Sequence, residues 1–367
     1  MSSRVSPADP GAEASVSVTG PHDGDVADVL ARAARHAPLH VLGYHAPGHL
    51  GLLETLYGGQ GWTLLVRMAG QPVAVMPGLW AEVAGLGAVY NSLPHYGPNG
   101  GLVFAEDLLE APRAAAWRAC LEAVEEEAAR RDAAAWSVLT PVGVEWGSGW
   151  AREGLPLLVE RRVTHVQPLA ACLRWRDRLR ADLARAERCG ITVKRDPGRS
   201  ELAALLAIYE ANCAEHGIPP KDRRFLAPLA DHVQQGHWCR AAVAVRDGAV
   251  VGGLIVVASR STVSYHLPAF RSDTRPTQGS AALLDDAFRW GLETGRTWWN
   301  WEASPPGRPG VADFKRRWGG QAAPYARVTR LRRLDRILAL GPARIAQAFP
   351  RGYVAPFALL GPPGGGP

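Results

Sequence analysis

Two stretches far apart in the chain arrange their hydrophobic and polar residues in the same way. Residues 62–80, WTLLVRMAGQPVAVMPGLW, and 240–258, RAAVAVRDGAVVGGLIVVA, each hold a β-rich run ending in Val-Arg. A two-residue turn follows, Ala69-Gly70 or Asp247-Gly248, and then a second β-rich run. Asp-Gly between such runs predicts a hairpin. Downstream, AVYNSLPHYGPNGG (88–101) and TVSYHLPAFRSDTRPTQGS (262–280) both carry a strand into Leu-Pro, an aromatic residue (Tyr96, Phe270) and a polar loop with glycine. A helical pattern comes next in each, APRAAAWRACLEAVEEEAARRD and SAALLDDAFRWGLETG. Each then leads to a strand bearing tryptophan, AAWSVLTP and TWWNWEAS. Arg67 matches Arg246 and Pro94 matches Pro268, separations of 179 and 174 residues. Matching order and spacing of this kind indicates an internal repeat. The reading is two copies of one α/β domain, each hairpin–strand–helix–strand, with a boundary near 165–175.

The ends stand apart. Residues 1–24 are rich in Ser, Gly, Asp, Pro and Ala without an apolar core, which predicts a disordered tail and not a signal peptide. The end, GPPGGGP, reads the same way. The domains are then 25–170, 171–335 and a C-terminal extension with tail at 336–367. ILALGPARIAQAFPRGYVAPFALLG is apolar, but Pro and Arg interrupt it short of the ~20 residues a membrane span needs. A helix lying on the protein or on a membrane surface remains open. Between the copies, 173–189 reads as one helix with Leu173, Leu179 and Leu183 on its apolar side and Gly190 as its stop. Six arginines there meet three acids. A solvated face of mixed ion pairs and a phosphate-holding groove wall, with Arg185 and Arg188 in it, are the two readings.

Composition changes the picture at three points. The 367 residues carry a net charge of +6, which suits an anionic partner such as tRNA, a nucleotide or an anionic lipid head group. Five scattered cysteines without CxxC read as reduced thiols in a cytoplasmic protein. Only Lys194, Lys221 and Lys315 are lysines among 41 basic residues. An arginine-rich composition retains a lysine by chance, or where a compact charge that can lose its proton is needed. Lys315 lies in TWWNWEASPPGRPGVADFKRRWGG (297–320), where an aromatic strand ends at Glu302, a Pro/Gly turn follows, and Phe314-Lys315 opens a basic cluster. Neither a GxSxG motif nor a Cys/His pair offers a covalent nucleophile. His45 and His49 are four apart, but Pro47-Gly48 between them argues against a metal-binding helical face, so no metal is expected.

The tandem repeat, the RLRADLARAERCGITVKRD segment and the 298–320 motif together resemble the FemAB-type branch of the GNAT acyltransferase fold, over roughly residues 35–330. The resemblance implies tandem GNAT domains, mixed sheets flanked by helices. It also implies transfer of an aminoacyl group from aminoacyl-tRNA to an amine, on a peptidoglycan precursor or a secondary metabolite. No further cofactor is implied; the acceptor would be a small or lipid-linked amine. Under it, Lys315 faces developing negative charge, Phe314 stacks on the terminal adenine of the donor, and Glu302 accepts a proton from the amine. A surface lysine beside a core Phe, and a turn-capping carboxylate, are the plain alternatives. His95, Tyr96 and Asn99 sit at a strand exit of the first copy, where an acceptor would bind, or form an Asn-Gly turn with tyrosine packing. In the second copy PTQGSA (276–281) stands where acetyltransferases carry (Q/R)xxGx(G/A). Gly279 fits that pattern but Pro276 replaces its basic residue. The loop could still present amides to a phosphate, with Arg271 or Arg275 near. Two other readings remain: an acyl-CoA-dependent N-acyltransferase acting on an amino sugar or small metabolite, and a non-catalytic double-GNAT module.

Overall fold

The computed structural model describes residues 14–93, 95, 97–106, 108–151, 153–235, 238–304 and 309–360, with the backbone alone for Ser148, Leu173 and residues 175–178. Strand β1 (Ala14–Thr19) and helices α1 (Gly24–His36) and α2 (Pro47–Tyr57) come first. The hairpin β2 (Gln60–Met68) and β3 (Gln71–Val83) leads through β4 (Gly87–Ser92) and short β5 (Val103–Phe104) to α3 (Glu110–Arg130) and β6 (Ala135–Leu139). There follow β7 (Leu158–Pro168), α4 (Leu169–Arg178), α5 (Arg180–Arg188), β8 (Thr192–Arg195), α6 (Arg199–Glu215) and α7 (Arg223–Gln235). The hairpin β9 (Cys239–Arg246) and β10 (Ala249–Ala258) precedes β11 (Thr262–Phe270), α8 (Gly279–Glu293) and β12 (Trp298–Ala303). Last come α9 (Pro309–Arg317), β13 (Gln321–Leu331) and α10 (Leu334–Ala348).

The chain divides into two compact units, and they are not its two halves. The first holds residues up to 40, 53–162 and 324 onward; the second holds 41–52 and 163–323. In the first unit the strands run β1-β2-β3-β4-β6-β13, and in the second β8-β9-β10-β11-β12-β7. Neighbours are antiparallel except for one parallel pair in each, β4/β6 and β11/β12. The repeat is therefore present as one mixed-sheet plan used twice. The turns that both hairpins need lie at positive φ: Ala69 48° and Gly70 76°, Asp247 50° and Gly248 78°. That is the geometry of a two-residue primed turn.

Three expectations need correction. Residues 14–19 are a strand registered on β2 (Ala14 opposite Met68) and Gly24 opens a helix, so order begins inside the expected tail. Residues 1–13 and 361–367 lie outside the described residues. The closing strands are exchanged: β7, after the first copy, pairs with β12, and β13, after the second, pairs with β6. The C-terminal extension thus belongs to the first unit, where Ile337, Ile345 and Phe349 are buried. The expected single helix 173–189 breaks at Leu179, whose φ/ψ of −100°/10° separates α4 from α5. Its stop at Gly190 holds, with φ 71°.

Aromatic side chains fill both cores. Trp62, Trp80, Tyr90, Trp117, Trp136 and Trp150 pack in the first unit. In the second, Phe288, Trp299, Trp301 and Trp318 pack beneath the parallel pair. Among the described residues no helix is long and apolar enough to cross a membrane.

Candidate active site

In the second unit the parallel strands part. The β11/β12 ladder covers Thr262–Trp298, Val263–Trp299 and Ser264–Asn300 and goes no further, although β11 continues to Phe270 and β12 to Ala303. Two bulges bend them. In β11 the register shifts so that His266 has no partner across β10, and in β12 Trp301 has none across β7. Beside the freed part of β11 is a cavity of about 400 Å³ lined by Tyr265, Pro268, Phe270, Ser280, Leu284 and Phe314, with Arg275 and His216 at its polar side. Ser280 stands in the first turn of α8, where unpaired amides favour an anion. Phe314 lies edge-on to Trp301, centroids 5.9 Å apart.

The end of β12 gathers titratable groups. Glu302 is held at φ 63°, a left-handed conformation costly for a non-glycine residue. Asn300 Oδ1 accepts its N–H at 2.9 Å, and the Lys315 ammonium donates to the carbonyls of Glu302 and Ala303, both at 2.8 Å. Lys315 is only 4% exposed, and burial lowers its pKa from 10.5 to about 8, against the pull of Glu302. The Glu302 carboxylate accepts a short hydrogen bond from the Tyr44 hydroxyl. Tyr44 Oη in turn lies 2.6 Å from His266 Nδ1. With Tyr44 donating to Glu302, its oxygen is left to accept from His266 Nδ1–H, which leaves a lone pair on Nε2. Burial, then the neighbouring Lys221, hold His266 below its usual range, so the ring is neutral. Burial and the Glu302 charge push the Tyr44 hydroxyl well up. His165, opposite Glu302 on β7, is likewise lowered by burial and then by Lys315 and Arg316. The result is a carboxylate, a cation and neutral imidazoles at one strained strand end.

The first unit closes the corresponding gap. Its β4/β6 ladder also has three pairs, ending at Asn91–Ser137. Beyond them Leu139 N donates to Ser92 Oγ at 3.0 Å, and Gly101 N donates to the Leu93 carbonyl at 2.7 Å. Gly101 runs so close to β6 that a Cβ there would lie 1.8 Å from the Leu139 carbonyl oxygen.

The sequence candidates fall into three groups. Glu302 and Lys315 are brought together, while Phe314, the residue before Lys315, lines the cavity. Arg275 reaches the cavity paired with Glu215, while Arg271 is paired with Asp273 (2.6 Å). Gly279 is buried under the Phe270 ring, which a Cβ would meet at 2.3 Å, so it serves packing. Arg185 and Arg188 are exposed on the last turn of α5. His95 does not face an open loop: it is packed between Tyr57 and Phe349 (centroids 4.8 and 5.2 Å), and burial lowers its pKa to about 3. Asn99 is fully buried. Tyr96 and the 305–308 part of the Pro/Gly turn lie outside the described residues. Tyr44, His266 and His165 were not singled out in the sequence; the one available signal was a histidine in the strand before Leu267-Pro268. His45, Nδ1 3.0 Å from Leu42 N, holds a turn, and His49 packs against Tyr44 and Trp238.

Residues 174–316 match the acetyltransferase (GNAT) domain family. Among curated proteins no sequence match was found. Among solved structures, FemX aligns at TM-score 0.61 and 13% identity, over 83% of this chain and 96% of that one. A conserved protein of unknown function from Bacteroides thetaiotaomicron aligns at 0.57 and 12%, over 86% and 99%. The C-terminal domain of a putative lysylphosphatidylglycerol synthetase from Agrobacterium fabrum aligns at 0.50 and 15%, over 88% and 98%. At these identities the likeness is one of fold.

Proposed function

From the premise that this chain has a tandem GNAT fold like that of FemX, with a GNAT domain across its second unit, we propose that it is an N-acyltransferase. It moves an aminoacyl group from aminoacyl-tRNA to an amine on a small or lipid-linked acceptor, forming an amide. The observation that carries this reading is the asymmetry of the parallel gaps. The second unit's gap opens on a cavity lined by Phe314, the residue before Lys315 in the chain, while the first unit's is filled by its own chain at Gly101.

Aminolysis needs a neutral amine, a fixed acyl carbon and stabilisation of the tetrahedral oxyanion. The acceptor nitrogen bonds to the acyl carbon, the carbon–oxygen bond to the donor ribose breaks, and the amine proton passes to Glu302 and back to the leaving oxygen. Tyr44, itself held by His266, engages Glu302 Oε1, so the other carboxylate oxygen takes the proton. Lys315 has one N–H left after its two carbonyl bonds, and it faces the developing charge. Phe314 packs on the donor's flat terminal base.

The loop before α8 supports tRNA over acyl-CoA. It is a short 3₁₀ turn (Ser272–Thr277) containing Pro276, and Arg271 and Arg275 already have carboxylate partners. The fold likeness to a putative lysylphosphatidylglycerol synthetase also supports an aminoacyl donor. The test offers purified protein a mixture of charged tRNAs or acetyl-CoA with amine acceptors and follows the labelled acyl group by mass spectrometry. Transfer from tRNA that RNase abolishes is expected. RNase-resistant transfer from acetyl-CoA would replace the donor, and transfer from neither would favour a non-catalytic module.

A further inference from the structure

The first unit holds a cation to which the described residues offer a ring but no carboxylate. Arg327, on β13, stacks with its guanidinium carbon 3.9 Å from the Tyr353 ring centroid. Among the described residues it makes no hydrogen bond and no ion pair. Burial, then the charge of Arg162, hold its pKa below the ordinary value, so the folded protein disfavours this charge.

Everything around it is tied down. Asn91 fixes the Tyr353 backbone twice: Nδ2 donates to the Tyr353 carbonyl at 2.9 Å, and Oδ1 accepts the Tyr353 N–H at 3.2 Å. The Tyr353 hydroxyl donates a short hydrogen bond to Glu160. Arg162 Nε donates to the Tyr325 hydroxyl at 3.1 Å, and its Nη1 lies 3.6 Å from Glu160 Oε1. Glu160 is thus engaged by Tyr353 and Arg162, and among the described residues it makes no ion pair with Arg327.

Arg327 is half-buried, and partly desolvating a cation that has no carboxylate of its own is a cost that packing alone would not require. Its planar face is fixed on Tyr353, and its N–H fork remains available for two oxygens at once. We propose that the first unit carries an oxyanion-binding site, built on Arg327 and Arg162 and framed by Tyr353, that takes a phosphate or carboxylate group of a ligand. It is independent of the acyl-transfer reading and shares no residue with the second unit's cavity.

Calorimetric titration of the full chain with pyrophosphate and, separately, with acetate tests this, at constant ionic strength. Thermal melts of wild type, Arg327→Met and Arg327→Lys accompany it. Wild type is expected to bind one more equivalent of one anion than Arg327→Met does. Pyrophosphate identifies a phosphorylated ligand, and acetate a carboxylate. Arg327→Lys keeps the charge but not the fork, and should bind at least tenfold more weakly while melting like wild type. In anion-free buffer Arg327→Met should melt at or above the wild-type temperature, because it removes a strained charge. Equal binding stoichiometry and affinity in all three proteins would overturn the proposal. So would a large loss of melting temperature in Arg327→Met with no anion binding by wild type, which marks a structural arginine.

Discussion

At residue scale the most informative group is Lys315. Two of its three N–H bonds are committed to the carbonyls that end β12, so it clamps the strand as well as charging the site. Its folded pKa of about 8 lies below the ordinary 10.5. Between those values the unfolded chain holds a proton that the folded chain has released, so stability rises with pH across that window. Below about pH 8 the whole penalty is present, about 3 kcal/mol. Lys315→Met removes the penalty but strands two carbonyls, at about 1–3 kcal/mol each. Near pH 7 the two effects roughly offset. Urea unfolding should then show wild type, and not Lys315→Met, gaining stability between about pH 8 and 10. Turnover with the aminoacyl donor should fall about 10²–10³-fold, the scale of losing one oxyanion donor. Lys315→Arg should also be slow, because a planar fork does not fit where an ammonium contacts two carbonyls; wild-type turnover in that variant would remove Lys315 from the chemistry. That Lys315 and Glu302 come close together was legible because one continuous motif holds them. Tyr44 was not: it bonds Glu302 from 258 residues away, and no local pattern marks such a partner.

At the scale of elements, the two parallel pairs differ in whether a cavity opens where their strands part, and Gly101 closes the gap in the first unit. Its φ of 94° is unfavourable for any residue with a side chain, and a Cβ would collide with backbone at Leu139. Gly101→Ala should therefore cost about 2–4 kcal/mol, since both the strained conformation and the neighbouring strand must shift. Gly58→Ala is the control. Its φ of 61° is also left-handed but nothing lies within 4 Å, so about 1 kcal/mol is expected. Equal melting temperatures for the two variants would mean that the gap is not held shut by Gly101. Hairpins and the strand–helix–strand units after them were legible, because turn residues and periodicity are local signals. The break at Leu179 was not, since apolar spacing continues through it. Nor was the exchange of β7 and β13: a strand's sequence records which face is buried and not which neighbour it pairs with.

At the scale of the whole molecule, the charge of +6 bears on the donor. A polyanion such as tRNA is held largely by counterion release, so its affinity falls steeply with salt, while a small acyl-CoA meets few cations and responds less. Arg185 and Arg188 are the test positions, because both are exposed on one turn of α5. Removing both as alanines lowers the formal charge from +6 to +4. If each contacts a phosphate, the slope of log affinity against log salt should become shallower by about 1.5, from roughly 0.7–0.9 per contact. The loss of affinity should then be largest at low salt and shrink as salt rises. Binding of a non-hydrolysable charged-tRNA analogue, measured at several salt concentrations by fluorescence anisotropy, reads that slope directly. An unchanged slope with a uniform drop in affinity would assign the two arginines to packing. An unchanged slope and affinity would leave the tRNA reading to rest on the second unit's cavity alone.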